Sequence, residues 1–378
     1  MTVSRRFPLA AFAGVGALVL TACGGGEEKP AAAGGPIKVE ASDTACAVSA
    51  TTANAGPVTF EITNKGSKVT EFYLYAEGDR IMGEVENIAP GLNRRLIVEV
   101  AEAGKYQTAC KPGMTGGGIR GEFTVTGGAA KQADPNSQKA QAVKSYAEYV
   151  ANNTKALEEE TTKFVAVVKA GKVDEAKAAY ARTRVYFERV EPVAEKFGDL
   201  DPKIDAREAD LEPGQKFTGF HRLEKDLWVT GLQPDTAQIA DQLLADVKEL
   251  VTKSAALELN ALDLANGAKE LLDEIATGKI TGEEEAFSHT DLSDFQGNLD
   301  GSKAAINSLR PLLQAKDPAL VSTLDKEFGN VQVLLDKQRE GDGFKLYTAL
   351  SQDQIKEFAS AVDALSEPLS KVAEVAAQ

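Results

Sequence analysis

The segment Thr218-Gly219-Phe220-His221-Arg222-Leu223-Glu224-Lys225-Asp226-Leu227-Trp228 contains one of only two histidines in 378 residues. His221 and Glu224 stand three apart, so a helix sends both side chains out from one face. One imidazole and one carboxylate on one face make half of a metal site. A second segment, Ser288-His289-Thr290-Asp291-Leu292-Ser293-Asp294-Phe295, places Asp291 and Asp294 at the same spacing near a helix start. An internal duplication would bring the two segments together.

Both segments lie in a region with helical periodicity. Val143, Tyr146, Tyr149 and Val150 recur at helical spacing, as do Leu157, Phe164, Val165 and Val168. Ala176 to Val190 marks another helix, stopped near Pro192. Ile239 to Ile275 reads as one long helix, and Asp300 to Gln314, Pro318 to Arg339 and Gln352 to Ala377 continue the pattern. Ala, Leu, Glu and Lys, all good helix formers, dominate. Residues 138–378 therefore predict one helical bundle, or two side by side.

Upstream the period changes to two. Ile37–Glu40, Val58–Ile62, Phe72–Tyr75, Arg95–Val100, Gly104–Thr108 and Gly121–Val125 read as short strands between Gly, Pro and Asn. About seven strands predict a sandwich or Greek-key barrel over residues 37–127. Gly127-Gly128-Ala129-Ala130 begins a linker, taken as 128–137.

The chain opens with Arg5-Arg6 and an apolar run from Phe7 to Leu20, followed by Leu20-Thr21-Ala22-Cys23-Gly24. That pattern predicts a bacterial lipoprotein signal over 1–22, with Cys23 lipidated and anchored to the membrane. Ser-Arg-Arg-Phe-Pro-Leu matches a twin-arginine signal imperfectly. Residues 23–36 read as a flexible tether. The expected location is extracytoplasmic, on the cell membrane. The chain carries a formal charge of −15, and the leader holds two arginines and no acid, so the mature part is still more acidic. That balance argues against nucleic acid as a partner. Apart from Cys23 the cysteines are Cys46 and Cys110, which outside the cytoplasm read either as a disulfide or as soft metal ligands.

Thr218 to Trp228 resembles the G-x-H-x-x-E signature of imelysin-like proteins. Tyr186 to Glu195, Asp199-Leu200-Asp201 and His289 to Asn298 are similar to other blocks of that group. Behind a small β domain, this combination resembles the EfeO family of extracytoplasmic iron-uptake components, over essentially the whole mature chain. The resemblance implies a cupredoxin-like β-sandwich followed by an all-α imelysin-like bundle that binds iron. It also implies a membrane iron permease and a haem-containing, peroxidase-like protein as partners. In the β domain it implies a metal site of Cys46, Cys110 and Glu71, with Met114 nearby, open to copper or iron.

Elementary chemistry limits these implications. A blue-copper site needs two imidazoles, and neither His221 nor His289 lies in the β region. Ferric iron is hard and favours carboxylate oxygen. The candidates to join His221 and Glu224 are therefore Glu188 and Glu191, Asp291 and Asp294, with His289 as a further possible ligand and Arg184, Arg189 and Arg222 as charge partners. The rival readings are a solvated acidic face for Glu188/Glu191 and helix capping for Asp291. A zinc peptidase of the H-E-x-x-H type needs a Glu after the first His and a second His four beyond it. Here those positions hold Arg222 and Lys225. The principal expectation is a lipid-anchored protein that captures iron and delivers it to a permease. The alternatives are an imelysin-group metallopeptidase, or a ferroxidase using copper in the β domain.

Overall fold

The computed structural model describes residues 35–127, 134, 136–211 and 214–378. The expected leader, Cys23 and tether up to Gly34 lie outside the described residues. The first body holds nine strands: β1 (Ile37–Ala41), β2 (Cys46–Val48), β3 (Thr52–Asn54), β4 (Gly56–Asn64), β5 (Thr70–Tyr75), β6 (Ile81–Ile88), β7 (Asn93–Val100), β8 (Gly104–Cys110) and β9 (Ile119–Thr126). They form two sheets, β2-β1-β4-β7 and β3-β9-β8-β5-β6. The β1–β4 and β3–β9 pairs are parallel. Alternation in β1 and β4 turns Ile37, Val39, Val58, Phe60 and Ile62 into the core. There Phe60 meets Phe72 and Phe123 at ring-centroid distances of 5.1 and 5.5 Å.

Three strands were not expected. β2 and β3 are three residues each, too short for alternation to register. β6 pairs with β5 through register shifts and carries Glu84 and Glu86, which break the apolar pattern.

The second body is helical: α1 (Gln138–Lys169), α2 (Val173–Glu188), α3 (Leu200–Asp205), α4 (Gly219–Lys225), α5 (Thr236–Ser254), α6 (Ala261–Thr277), α7 (Asp291–Lys316), α8 (Pro318–Asp336), α9 (Gln352–Leu369) and α10 (Val372–Ala377). The helices α6, α7, α8 and α9 pack as a closed ring of four, while α1 gathers α2, α5 and α7 around itself. Two bundles thus lie side by side, joined through α7 and α1. The expected single helix from Ile239 to Ile275 is instead α5 and α6. Asn260 breaks it, accepting the N–H groups of Leu262 and Asp263 in a capping box closed by Asp263. The stretch read as helical to Arg339 ends at Asp336 and passes into a short hairpin at Arg339–Phe344. No described helix is long and apolar enough to cross a membrane.

Close approach of α7 to α2 depends on two glycines one turn apart. A Cβ at Gly297 would lie 2.5 Å from the Glu188 Cβ, and one at Gly301 would meet the Arg189 carbonyl. Their absence lets α7 carry Asp294 and Asn298 against the buried face of α2. The two bodies also touch. Helix α6 lies on β6 and β7, and Asn266 donates to the Ile97 carbonyl at 2.9 Å. Every residue of β5 is buried.

Candidate metal centre

Helix α4 starts where it does because of Gly219. Its φ is +76°, and a Cβ there would sit 2.1 Å from the Ile204 carbonyl. Only glycine allows that contact, which seats α4 on the end of α3 and brings His221 beside Asp205. A π-helical turn follows at Asp226–Thr230. Trp228 is half-buried there and packs edge-on against Tyr180 at 5.4 Å, so it belongs to the core.

His221 is 1% exposed and Glu224 fully buried. The His221 Nδ1 lies 3.2 Å from Glu224 Oε2. The other carboxylate oxygen of Glu224 accepts the N–H groups of Phe287 and Ser288 at 2.9 and 2.6 Å. Those bonds join the α4 segment directly to the one that leads into α7, the juxtaposition expected of the two paired motifs. The His221 Nε2 is buried and finds no hydrogen-bond partner among the described residues. It points between Asp205 Oδ1 at 3.6 Å and Glu284 Oε1 at 3.8 Å. Donor atoms of Asp205, His221 and Glu284 lie within 4.8 Å of one another, as do those of His221, Glu224 and Glu285. Two ligand atoms each about 2.1 Å from one ion stand about 3.0–3.4 Å apart, so modest contraction would close the Asp205, His221 and Glu284 group on a cation at Nε2, with Glu224 holding the ring through Nδ1.

Around this group runs a dense charge network. Arg184 is fully buried and pairs with Glu188, Asp205, Glu284, Glu285 and Asp294. Lys279, 1% exposed, reaches Glu191 at 2.6 Å and Glu188 at 3.4 Å. Burial pushes the carboxyls of Glu285 and Asp294 well above the usual range. Burial acts on Glu188 too, yet Lys279 and Arg184 hold it down to about 2.

The expected ligands separate into two layers. His221 and Glu224 stand in the convergent donor set. Glu188 and Glu191 do not. Glu188 is fully buried and Glu191 largely so, against the reading of a solvated acidic face, and both are engaged by Lys279 and Asn298. Asp291 accepts the Glu285 N–H at 3.2 Å, so it braces the loop that carries Glu284 and Glu285. One oxygen each of Asp291 and Asp294 is buried without a partner, which leaves both as reserve acceptors beside the donor set. His289 is half-buried and stands outside both convergent groups. Arg222 turns to Asp226 and Asp235, and Lys225 to Glu208. Asp205, Glu284, Glu285 and Lys279 were not anticipated. Glu284 and Glu285 belong to an acidic run, Glu283-Glu284-Glu285, that reads as surface, and nothing in Thr277-Gly278-Lys279-Ile280 announces a buried lysine.

In the β body the thiolate site is corrected. Cys46 and Cys110 are a disulfide, with Cα atoms 5.5 Å apart and a sequence separation of 64. It ties β2 of one sheet to β8 of the other. Phe72 pairs with Cys110 in register, and both face the core. Glu71 looks the other way, accepting the Tyr73 hydroxyl at 3.0 Å and lying 3.6 Å from Lys111 Nζ. The two sulfurs and Glu71 are therefore on opposite sides of the sheet. Met114 is 39% exposed on the turn beyond β8. A copper site of these four residues has no common point to form around. Thiol titration of unreduced protein is expected to find neither cysteine reactive. The double change Cys46→Ser with Cys110→Ser should lower stability by about 2–4 kcal/mol while leaving cation binding in the helical body intact. A variant that melts with the wild type would show the bridge to be idle.

Burial also sets a pH dependence. It pushes the Asp291 carboxyl up to about 6, and burial followed by the Glu195 charge pushes Glu270 up to about 8. A carboxyl raised in the folded state contributes stability that is full below its unfolded value and lost as pH rises through the folded value. The lowered Glu188 titrates below this window, so it does not offset the loss. In chelator, the melting temperature is expected to fall steadily between about pH 5 and pH 8. A rising profile across that range would contradict it.

A family model described as imelysin, peptidase M75, matches residues 142–372, and one described as a cupredoxin-like domain matches residues 12–125. The iron uptake system component EfeO of Escherichia coli O157:H7 is 38% identical over 342 residues, covering 89% of this chain and 90% of the relative. The proteins of the same name in Escherichia coli K12 and Shigella flexneri match to the same extent. An iron-regulated protein A precursor from Parabacteroides distasonis aligns with 65% of this chain and 97% of its own at 17% identity and a TM-score of 0.48, too distant to bear on function.

Proposed function

This chain belongs to the imelysin family and, within it, to the EfeO iron uptake components, and from that premise we propose that it captures ferric iron in the helical body outside the cytoplasmic membrane and passes it to a membrane iron permease. One observation carries the reading: the buried, unpartnered Nε2 of His221, set between the carboxylates of Asp205 and Glu284. An imidazole nitrogen that is desolvated and left unpaired costs free energy unless a ligand takes it. Eight carboxylates (Glu188, Glu191, Asp205, Glu224, Glu284, Glu285, Asp291 and Asp294) crowd round two deeply buried cations, Arg184 and Lys279. A small trivalent ion supplies the positive charge that this set lacks, and oxygen donors suit a hard ion.

Iron here is cargo. His221 Nε2, Asp205 and Glu284 offer the donors, Glu224 orients the ring through Nδ1, and Arg184 holds the acids in place. Lipidation of Cys23 would keep the protein at the membrane, close to the permease and to a haem-containing, peroxidase-like partner. The peptidase alternative has little support, because Arg222 and Lys225 are turned into other ion pairs. The ferroxidase alternative loses its copper ligands to the disulfide. Equilibrium dialysis against ferric citrate, in parallel with digestion of a mixed peptide library, tests the proposal. Tight ferric binding with no cleavage supports it. Cleavage that depends on His221, without ferric binding, would replace it with hydrolysis.

A further inference from the structure

The His221 centre opens on one side into a vestibule of about 270 Å³. At about 30 Å³ per water molecule, that space holds an ion with several of its waters. Two of its walls, Asp205 and Glu284, are donors of the centre itself. Glu191, Asp201, Asp210 and Glu274 add further carboxylates. Arg207 is the one cationic side chain among the described residues that line it. A cation drawn in by the acids therefore meets a single opposing charge.

Arg207 stands at the mouth. It follows the end of α3 by two residues, just ahead of the 3-10 turn Glu208–Asp210. Its guanidinium holds one acid inside and two outside. Inside, Nη1 donates to Glu284 Oε2 at 3.2 Å, and that side chain is 4% exposed. Outside, Nε donates to Asp210 at 2.5 Å and Nη1 lies 3.6 Å from Glu283, side chains that are 51% and 54% exposed. The other oxygen of Glu284, Oε1, faces His221 Nε2. One carboxylate is thus shared between the centre and Arg207. The turn itself is tied down, because Lys225 of α4 donates to Glu208 at 2.6 Å. Movement at the mouth falls to the long side chain of Arg207, and the outer acids give it a second seat.

We propose that Arg207 is the gate of the helical centre: its guanidinium closes the vestibule on Glu284 while the centre is empty, and swings onto Asp210 and Glu283 to let a hard, highly charged cation pass. An ion that reaches Glu284 replaces the guanidinium as counter-charge and repels it. Asp210 and Glu283 keep the guanidinium paired once it has left. Arginine suits the task better than lysine, since its planar fork spans an inner and an outer acid at once. This inference rests on the reading of His221, Asp205 and Glu284 as the ligands of the cargo.

A gate alters how fast an ion moves in both directions, which neither a fixed charge nor a brace does. Terbium(III), a hard trivalent ion, is the probe, excited through Tyr180, whose hydroxyl lies 3.4 Å from Glu285. Loading of the full chain is followed by stopped flow, and release by mixing with excess EDTA. The signal of the centre is the part that a His221→Ala, Glu224→Gln double variant lacks. Arg207→Gln is expected to speed loading and release together, each by about tenfold or more, since a field of one sign in a cleft shifts association rates by roughly 10–10³. Arg207→Lys is expected to fall between, and it carries the comparison if the glutamine variant does not fold. Faster loading with slower release would make Arg207 a repelling charge only. Faster release without faster loading would make it a brace for Glu284. Unchanged rates would send the ion by way of Asp201 and Glu274. Each of these three results overturns the gate and leaves the His221 centre standing. If the His221/Glu224 variant loses no signal, the centre falls and the gate with it.

Discussion

Replacing His221 by Ala and Glu224 by Gln together is expected to weaken ferric binding at the helical centre by at least about a hundredfold, since groups one shell removed from a metal already cost 10–100-fold when lost. The choice of glutamine matters. Glu224 Oε1 takes two backbone N–H groups, from Phe287 and Ser288. Alanine would strand both donors in the interior at about 1–3 kcal/mol each, and a fall in binding would then be confounded with a collapsed loop. Glutamine keeps an acceptor for those donors and loses only the charge that faces His221. The control is Glu188→Gln. That carboxylate is already satisfied by Arg184, Lys279 and Asn298, so its loss should change ferric affinity far less. Dialysis against ferric citrate on the three proteins gives the ranking. Equal affinity in the His221/Glu224 variant and the wild type would remove the centre from consideration.

The layout of the chain was largely legible because each body has its own period. Alternation in β1 and β4 and the helical recurrence from Val143 onward mark the two folds. His221 and Glu224 were legible as well, since both sit on one short helix. The remaining donors were hidden for a common reason. Asp205 ends α3, Glu284 and Glu285 sit in a loop, and none shares an element with His221. They meet it only because Gly219 lets α4 rest on Ile204 and because Glu224 grips the loop backbone at Phe287 and Ser288. Convergence of that kind is a property of packing, which spacing along the chain does not encode. Glu71 shows the converse. The family resemblance put it with Cys110, but the pleat turns the two to opposite faces. Glu84 and Glu86 were missed because two acids in a short strand read as exposure, whereas α6 and the turn Glu191–Phe197 close over β6.

The largest loss of stability is expected from Arg184→Met. Arg184 is the widest hub in the helical body, its guanidinium reaching five carboxylates on four separate segments: α2, α3, the loop before α7, and α7 itself. Removing one member of a buried ion pair costs about 3–5 kcal/mol, because the partner stays buried and uncompensated. Five partners share this cation, so the cost should reach at least the upper end of that range. Methionine fills much of the volume, which separates lost charge from a packing void. Lysine at the same position keeps the charge but lacks the planar fork that contacts several acids at once, and should fall between. Thermal melts in chelator are therefore expected to rank wild type above Arg184→Lys above Arg184→Met. Ferric ion should recover part of the loss in the methionine variant, by restoring positive charge to the same carboxylates. If the methionine variant unfolds within about 1 kcal/mol of the wild type, the acids are not held by this guanidinium, and another source of order must fix Asp205, Glu284 and Glu285 around His221.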